Sequence, residues 1–262
     1  MEISVALGQA LSRPADLDGN LALAWRWGRE AAGRGAQVLV LPELFDWGYD
    51  LKSVGAKGPS PLSLELGKVA AATGLTVVSG LALSEGFKPR NASVAFAPDG
   101  GRQTYSKVHL FEAEPNVESR VFTAGDETAR WRIAGAQSSA LICYDLRFPE
   151  LARAAALGGA EVIYVSSAWP ASRTEVFRVL CQSRAIENQV FVVSANLCGK
   201  SDSGHFAGHS MVVAPDGSIL AEAGEGEALL FARLDLGLVE KNRAFLPCFR
   251  QRRPGVYGGL LG

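Results

Sequence analysis

Three side chains of this sequence are of types that could form a reaction centre: the thiol of Cys143, the carboxylate of Glu43 and the amine of Lys107. A thiolate is a nucleophile, a desolvated carboxylate exchanges protons near neutral pH, and an ammonium stabilises negative charge developing beside it. Each stands just beyond a run that reads as a strand: 139–142 before the cysteine, 38–41 before the glutamate and 102–106 before the lysine. Taken singly, each also has a plain reading. Cys143 follows Ala140-Leu141-Ile142 and would pack as a small hydrophobe. Glu43 is either desolvated in its apolar stretch or exposed at the strand exit, and an isolated lysine is ordinarily solvated. The cysteine also precedes a helix expected from Pro149. Such an elbow presents the side chain at a sheet edge, where amides and a helix N-terminus would lower the thiol pKa. Cys181 and Cys198 lie in apolar contexts that suit packing, and Cys248 has no chemical context.

The elements that must position these groups occur twice. The segment 3–7 reads as a strand, 17–33 as an amphipathic helix stopped by glycine, and 38–41 as a strand buried on both faces. A helix over 61–73 and a strand over 75–79 follow, then a hairpin of 93–97 and 102–106 around Pro98-Asp99-Gly100-Gly101. The order recurs from 139–142 through a helix over 149–157. Gly159-Ala160-Glu161-Val162-Ile163 resembles Gly35-Ala36-Gln37-Val38-Leu39 at a separation of 124. Val192-Val193-Ser194 repeats Val77-Val78-Ser79 at 115, and Val213-Ala214-Pro215-Asp216-Gly217 echoes Phe96-Ala97-Pro98-Asp99-Gly100 at 117. Two α/β halves, each with one sheet face covered by helices, bury the other faces by packing together. The expected fold is therefore a four-layer α-β-β-α sandwich, a single domain over 1–262. A single doubly wound sheet fits less well, since no GxGxxG follows the first strand.

The candidate chemistry sits where the repeat breaks. The counterpart of Glu43, 124 residues on, is Ser167; that of Lys107, 117 residues on, is Gly224; the strand matching that of Cys143 leads to Gln9. Polar site residues commonly stand at such strand ends.

Composition bounds the partners. The chain has 262 residues, 48% hydrophobic and 20% charged, with a net charge of −1. No basic footprint points to nucleic acid or an anionic membrane, and Arg250, Arg252 and Arg253 read as a solvated tail. No apolar run approaches the length of a membrane span, and no signal peptide is visible, so a cytoplasmic enzyme with reduced thiols is expected. His205 and His209 have metal-pair spacing, but Gly204 and Gly208 break any helix there, and no metal is expected.

Leu41-Pro42-Glu43, Tyr105-Ser106-Lys107-Val108-His109-Leu110-Phe111 and Leu141-Ile142-Cys143-Tyr144-Asp145-Leu146-Arg147-Phe148-Pro149-Glu150 resemble the three catalytic blocks of the nitrilase superfamily, in order and in spacing. Ser183-Arg184-Ala185-Ile186-Glu187-Asn188-Gln189, Gly208-His209-Ser210 and the closing Arg250-Gln251-Arg252-Arg253-Pro254 with Tyr257 are similar to it too. The resemblance implies the sandwich fold, assembly as homodimers or higher oligomers, and a thiol amidase without a cofactor. It makes Cys143 the nucleophile and Glu43 the general base, with Lys107 and the backbone N–H of Tyr144 stabilising the oxyanion. Glu118 matches the family's second glutamate, which orients the lysine and the substrate.

Cys143-Tyr144-Asp145-Leu146-Arg147-Phe148 and Ser167-Ala168-Trp169-Pro170 look most like the omega-amidase branch, whose substrates are amides of 2-oxo dicarboxylic acids. Trp169 and Arg173 are the implied substrate-binding residues. A structural ion pair of Arg147 with Asp145 or Glu150 is preferred over a substrate role, while for Arg173 both stay open. Val176-Phe177 replaces the His-Trp often found near the pocket wall, which bears on the substrate. The alternatives are an amidase of deaminated glutathione, an aliphatic amidase, or a silent binding member. Retention of Glu43, Lys107, Cys143 and Glu118 together disfavours the last.

Overall fold

The apolar runs become strands buried on both faces, because each is covered by helices on one side and by a second sheet on the other. The computed structural model describes residues 1–258. The first half supplies β1 (Glu2–Gln9), α1 (Leu17–Gly33), β2 (Val38–Val40), α2 (Leu51–Lys57), α3 (Leu62–Thr73), β3 (Thr76–Leu83), β4 (Arg90–Phe96) and β5 (Arg102–Ser106). The second supplies β6 (Trp131–Ile133), β7 (Ala136–Ile142), α4 (Pro149–Leu157), β8 (Val162–Ser167), α5 (Thr174–Asn188) and β9 (Phe191–Asn196). A small hairpin of β10 (Cys198–Ser201) and β11 (Gly204–Ala207) leads to β12 (Met211–Val213), β13 (Ile219–Glu222), β14 (Ala228–Asp235) and α6 (Gly237–Phe245).

The sheets run β14-β1-β2-β3-β4-β5 and β6-β7-β8-β9-β12-β13. From the β14 and β6 edges inward, both show the same sequence of pairings: antiparallel, parallel, parallel, antiparallel, antiparallel. The repeat in the sequence is thus a repeat in space, and Val5–Leu7 does stand where the Cys143 strand stands. Two features go beyond the sequence reading. The edge strands β6 and β14 were not legible, and β14 leaves its own half to complete the first sheet.

Strand alternation sorts the core. Ile3, Val5 and Leu7 of β1 face the second sheet and meet Tyr164 and Val162 in one cluster. Ala6 points the other way and joins Leu39, Leu41, Trp27 and Leu66 under α1 and α3. Helix α1 starts where Asp16 accepts the Gly19 N–H (2.9 Å) and buries Leu23, Ala24, Trp27 and Ala31, a stripe at helical spacing. Across the middle, Ser166 Oγ of β8 donates to the Leu41 carbonyl (3.0 Å). The result is the expected α-β-β-α sandwich.

Candidate active site

The ends of β2, β5 and β7 bring Glu43, Lys107 and Cys143 to one place. Cys143 opens a tight turn, Cys143–Arg147, with φ at +43°, a left-handed conformation uncommon for a residue with a Cβ. Asp145 holds that turn. Its buried carboxylate accepts the Ile142 N–H (3.0 Å), the Tyr105 hydroxyl (2.7 Å), the His109 N–H (3.0 Å) and a bond with His109 Nδ1 (2.9 Å). The segment carrying the lysine is thereby fastened to the segment carrying the thiol. The Glu43 loop lies equally close to β3: a Cβ on Gly80 would stand 2.5 Å from the Glu43 Cα. Only glycine permits that approach.

Lys107 is almost fully buried, and its ammonium bonds Glu43 Oε1 (2.7 Å) and Glu118 Oε1 (2.8 Å). Two of its three protons are thus engaged, and the third remains for another acceptor. Glu118 is buried at the start of a short helical turn, where it also takes the Tyr49 hydroxyl (2.8 Å) and the Phe111 N–H (3.0 Å). Glu43 receives Asn91 Nδ2 on Oε1 (2.8 Å) and the Ala168 N–H on Oε2 (3.0 Å). The sequence reading missed Tyr49 and Asn91. One signal was available for Asn91: it is the second residue of β4, the strand paired with the one that leads into Lys107.

Burial decides the charges. It works against the Lys107 ammonium, yet Glu118 and Glu43 outweigh it and the lysine pKa is raised, so the group stays charged. Burial raises the Glu43 pKa from the usual carboxylate range against the pull of Lys107. The Cys143 thiol is pushed well above its ordinary value by burial and by Glu43, with Lys107 opposing. This corrects the expectation of a lowered thiol pKa. Two carboxylates beside one ammonium already make the centre negative, and a turn of five residues supplies too little dipole to reverse that. The thiol rests protonated beside a carboxylate able to take its proton.

Cys143 lies at the floor of a cavity of about 370 Å³ whose walls include Tyr49, Tyr144, Arg147, Trp169, Arg173 and Phe206. The volume is near the lower end for small-molecule sites. Arg147 departs from expectation. Asp145 is fully taken by other donors, and Arg147 instead lies over the Trp169 ring, 5.1 Å from its centroid, facing the cavity. Glu114 is the one carboxylate in the lining and pairs with Arg120 (2.6 Å), while Arg147 and Arg173 form no ion pair among the described residues. Trp169 is fixed by its N–H to Asn196 Oδ1 (2.7 Å) and by Nε1 to the Arg173 carbonyl (3.0 Å). Val176 is exposed and Phe177 is buried against Trp169, and neither lines the cavity.

Of the remaining candidates, His205 on β11 lines the same cavity, while His209 bonds Glu222 (2.9 Å). Among the described residues no group of His, Cys, Asp and Glu could hold a metal ion, and no helix is long and apolar enough to cross a membrane. Cys181 and Cys198 are buried and Cys248 is exposed. A larger groove of about 990 Å³ runs beside β5 and the 125–131 segment, but neither Cys143, Glu43 nor Lys107 lines it.

The chain has relatives among known proteins. The model of the carbon–nitrogen hydrolase family matches residues 4–244. The 2-oxoglutaramate amidase of Bacillus subtilis is 36% identical over 234 residues, 87% of this chain and 89% of that protein. The omega-amidase of Homo sapiens is 32% identical over 87% of each. A glutamate-to-glutamine mutant of an amidase from Nesterenkonia sp., solved with acrylamide added to its active-site cysteine, superposes with a TM-score of 0.84 at 32% identity, covering 93% of this chain and 98% of that one. The chain therefore belongs to the carbon–nitrogen hydrolase family, within the nitrilase superfamily, and is a hydrolase of carbon–nitrogen bonds other than peptide bonds.

Proposed function

We propose that this protein hydrolyses small amides carrying a distal carboxylate, such as the monoamides of 2-oxo dicarboxylic acids, through a thioester on Cys143. The observation that carries the reading is the buried Glu43–Lys107–Glu118 chain beside the thiol, beneath a cavity whose two arginines lack carboxylate partners. Glu43 takes the thiol proton as sulfur attacks the amide carbon. The free N–H of Lys107 and the Tyr144 N–H receive the oxyanion. Glu43 then passes the proton to the nitrogen, the C–N bond breaks and ammonia leaves. Water, deprotonated by Glu43, attacks the thioester, and the thiol regains its proton as the acid departs.

Arg147 and Arg173 would bind the distal carboxylate, Arg147 held over Trp169 and Arg173 at the mouth. The relatives named as 2-oxoglutaramate amidase and omega-amidase support this substrate class. The test is ammonia release from 2-oxoglutaramate, 2-oxosuccinamate, deaminated glutathione, propionamide and a nitrile. Equal turnover of propionamide sinks carboxylate recognition. Preference for deaminated glutathione replaces the substrate and leaves the chemistry standing.

A further inference from the structure

Asn91 has no part in the steps above, yet it touches two members of the centre. It is completely buried in β4. Its backbone carbonyl accepts the Lys107 N–H (2.8 Å), and its side-chain Nδ2 donates to Glu43 Oε1 (2.8 Å), the oxygen that also takes the Lys107 ammonium (2.7 Å). A carboxylate oxygen offers two lone-pair positions, so Oε1 is full. Both of its partners can only donate. An ammonium has no lone pair, and a reversed amide would set its oxygen against the carboxylate. Oε2 holds one donor, the Ala168 N–H (3.0 Å), and keeps one position open.

We propose that Asn91 is a positioning residue that confines the catalytic proton to Oε2 of Glu43. The proposal rests on the thiol–carboxylate chemistry put forward above. With Oε1 closed, the S–H bond breaks as Oε2–H forms, and the same oxygen then delivers the proton to the departing nitrogen. Water gives its proton to Oε2 in the second half, and from there it returns to sulfur. The carboxyl group need not rotate between accepting and releasing.

A separate observation agrees. The other amide atom, Asn91 Oδ1, is buried without a hydrogen-bond partner. Buried orphaned acceptors are uncommon, and an apolar side chain of the same size would avoid one. What the amide supplies here is its N–H to Glu43. The groups facing Glu43 are Lys107 after β5, Glu118 in its short turn and Cys143 after β7. Among the described residues Asn91 is the one uncharged side chain that bonds its carboxylate.

The experiment compares Asn91→Leu, which removes the donor at nearly constant volume, with Asn91→Asp, which sets a second carboxylate against Glu43. Both should lower kcat by on the order of tenfold or more with KM little changed. The acid limb of kcat/KM should move to higher pH, further in Asn91→Asp, because the lost N–H no longer favours the ionised Glu43. Modification of Cys143 by methyl methanethiosulfonate, which holds no amide bond, reads the same limb against pH without turnover. An acid limb superimposable on the parent's in both assays overturns the proposal, as does a loss carried by KM. Should Asn91→Leu not fold, Asn91→Ser removes the same contact with a smaller side chain. Cys143→Ala, run in parallel, separates the two ideas: surviving turnover there defeats the thiol chemistry, whereas lost turnover with unmoved Asn91 limbs defeats only the role of Asn91.

Discussion

Glu43 and Ser167, which hold corresponding places in the two halves, are joined directly: the Glu43 N–H donates to the Ser167 carbonyl at 3.3 Å. The halves therefore meet at the proposed reaction centre, and only one side of the junction carries the thiol, carboxylate and amine. On the other side Gln9 stands where Cys143 stands, and its amide bonds the carbonyl of Gly224 (2.8 Å), the counterpart of Lys107. The mirror position is closed by an amide clasp that also receives the Ser210 N–H (2.8 Å). Ser210 in turn accepts the Asn196 N–H (2.9 Å), and Asn196 fixes Trp169. The unequipped side serves as a buttress for the cavity wall.

Replacement of Cys143 by alanine should reduce ammonia release to background. The backbone there is already in the left-handed region, so alanine adds no strain that cysteine lacks. A thermal melt within a few degrees of the parent would show that chemistry, and not the fold, was lost. Activity near the parental level in this variant would remove the nucleophile assigned here.

Lys107→Arg should be nearly as damaging as Lys107→Ala. The ammonium sits between two carboxylates in a space closed to water, and a planar guanidinium cannot keep both bonds and still offer a proton to the substrate. Loss of one oxyanion donor costs on the order of 10²–10³ in kcat, about 3–4 kcal/mol. Retention of more than about a tenth of kcat, under roughly 1.4 kcal/mol of barrier, would reduce the lysine to a diffuse positive field.

Arg147→Met should raise KM for a carboxylate-bearing amide by about 10-fold or more, the loss of one charge-assisted bond, and change propionamide kinetics little. Methionine can still cover the Trp169 face, so packing is largely kept. A uniform loss on both substrates would return Arg147 to a structural role.

Asp46 offers a test of stability. It accepts from Ser60 Oγ (2.9 Å), the Ala82 N–H (3.2 Å) and the Trp47 N–H (3.1 Å), yet burial pushes its carboxyl up to about 7. The folded protein then holds a proton that the unfolded chain releases near pH 4. The stability from this group is full below about pH 4 and is lost as pH rises through about 7, to the extent of roughly 4 kcal/mol at most. Urea denaturation at pH 5 and pH 8.5 should show a smaller decline in Asp46→Asn than in the parent. Parallel declines would mean that Asp46 stays ionised throughout.

Why was so much of the centre legible in the sequence? Glu43, Lys107 and Cys143 each follow a strand and each lack a like residue in the other half, so local pattern and broken repeat pointed to the same positions. Tyr49 and Asn91 gave no such signal, because their partners lie 69 and 48 residues away and only the folded sheets bring them together. Arg147 was misassigned because sequence proximity to Asp145 suggested a pair. In three dimensions Tyr105, Ile142 and His109 occupy that carboxylate first. The thiol pKa runs opposite to what the elbow suggests, since elbow geometry is local but the burial, and after it the charge of Glu43, come from the folded surroundings. Strand β14 was missed for a topological reason: nothing in residues 228–235 announces which sheet they will join.

That strand sets an order on how the molecule can be made. Glu2 pairs with Asp235 and Gln9 with Ala228, so the second strand edge of β1 stays open until the chain has been made through residue 235. Pairings between residues so far apart close slowly, and an uncovered strand edge meanwhile invites other chains. A chain ended at Glu227, after β13 and before β14, should therefore be captured by chaperones or precipitate, even though every other strand of both sheets is present. If that fragment instead accumulates as a soluble, cooperatively melting monomer, β14 is an ornament of the first sheet and not its closing seam.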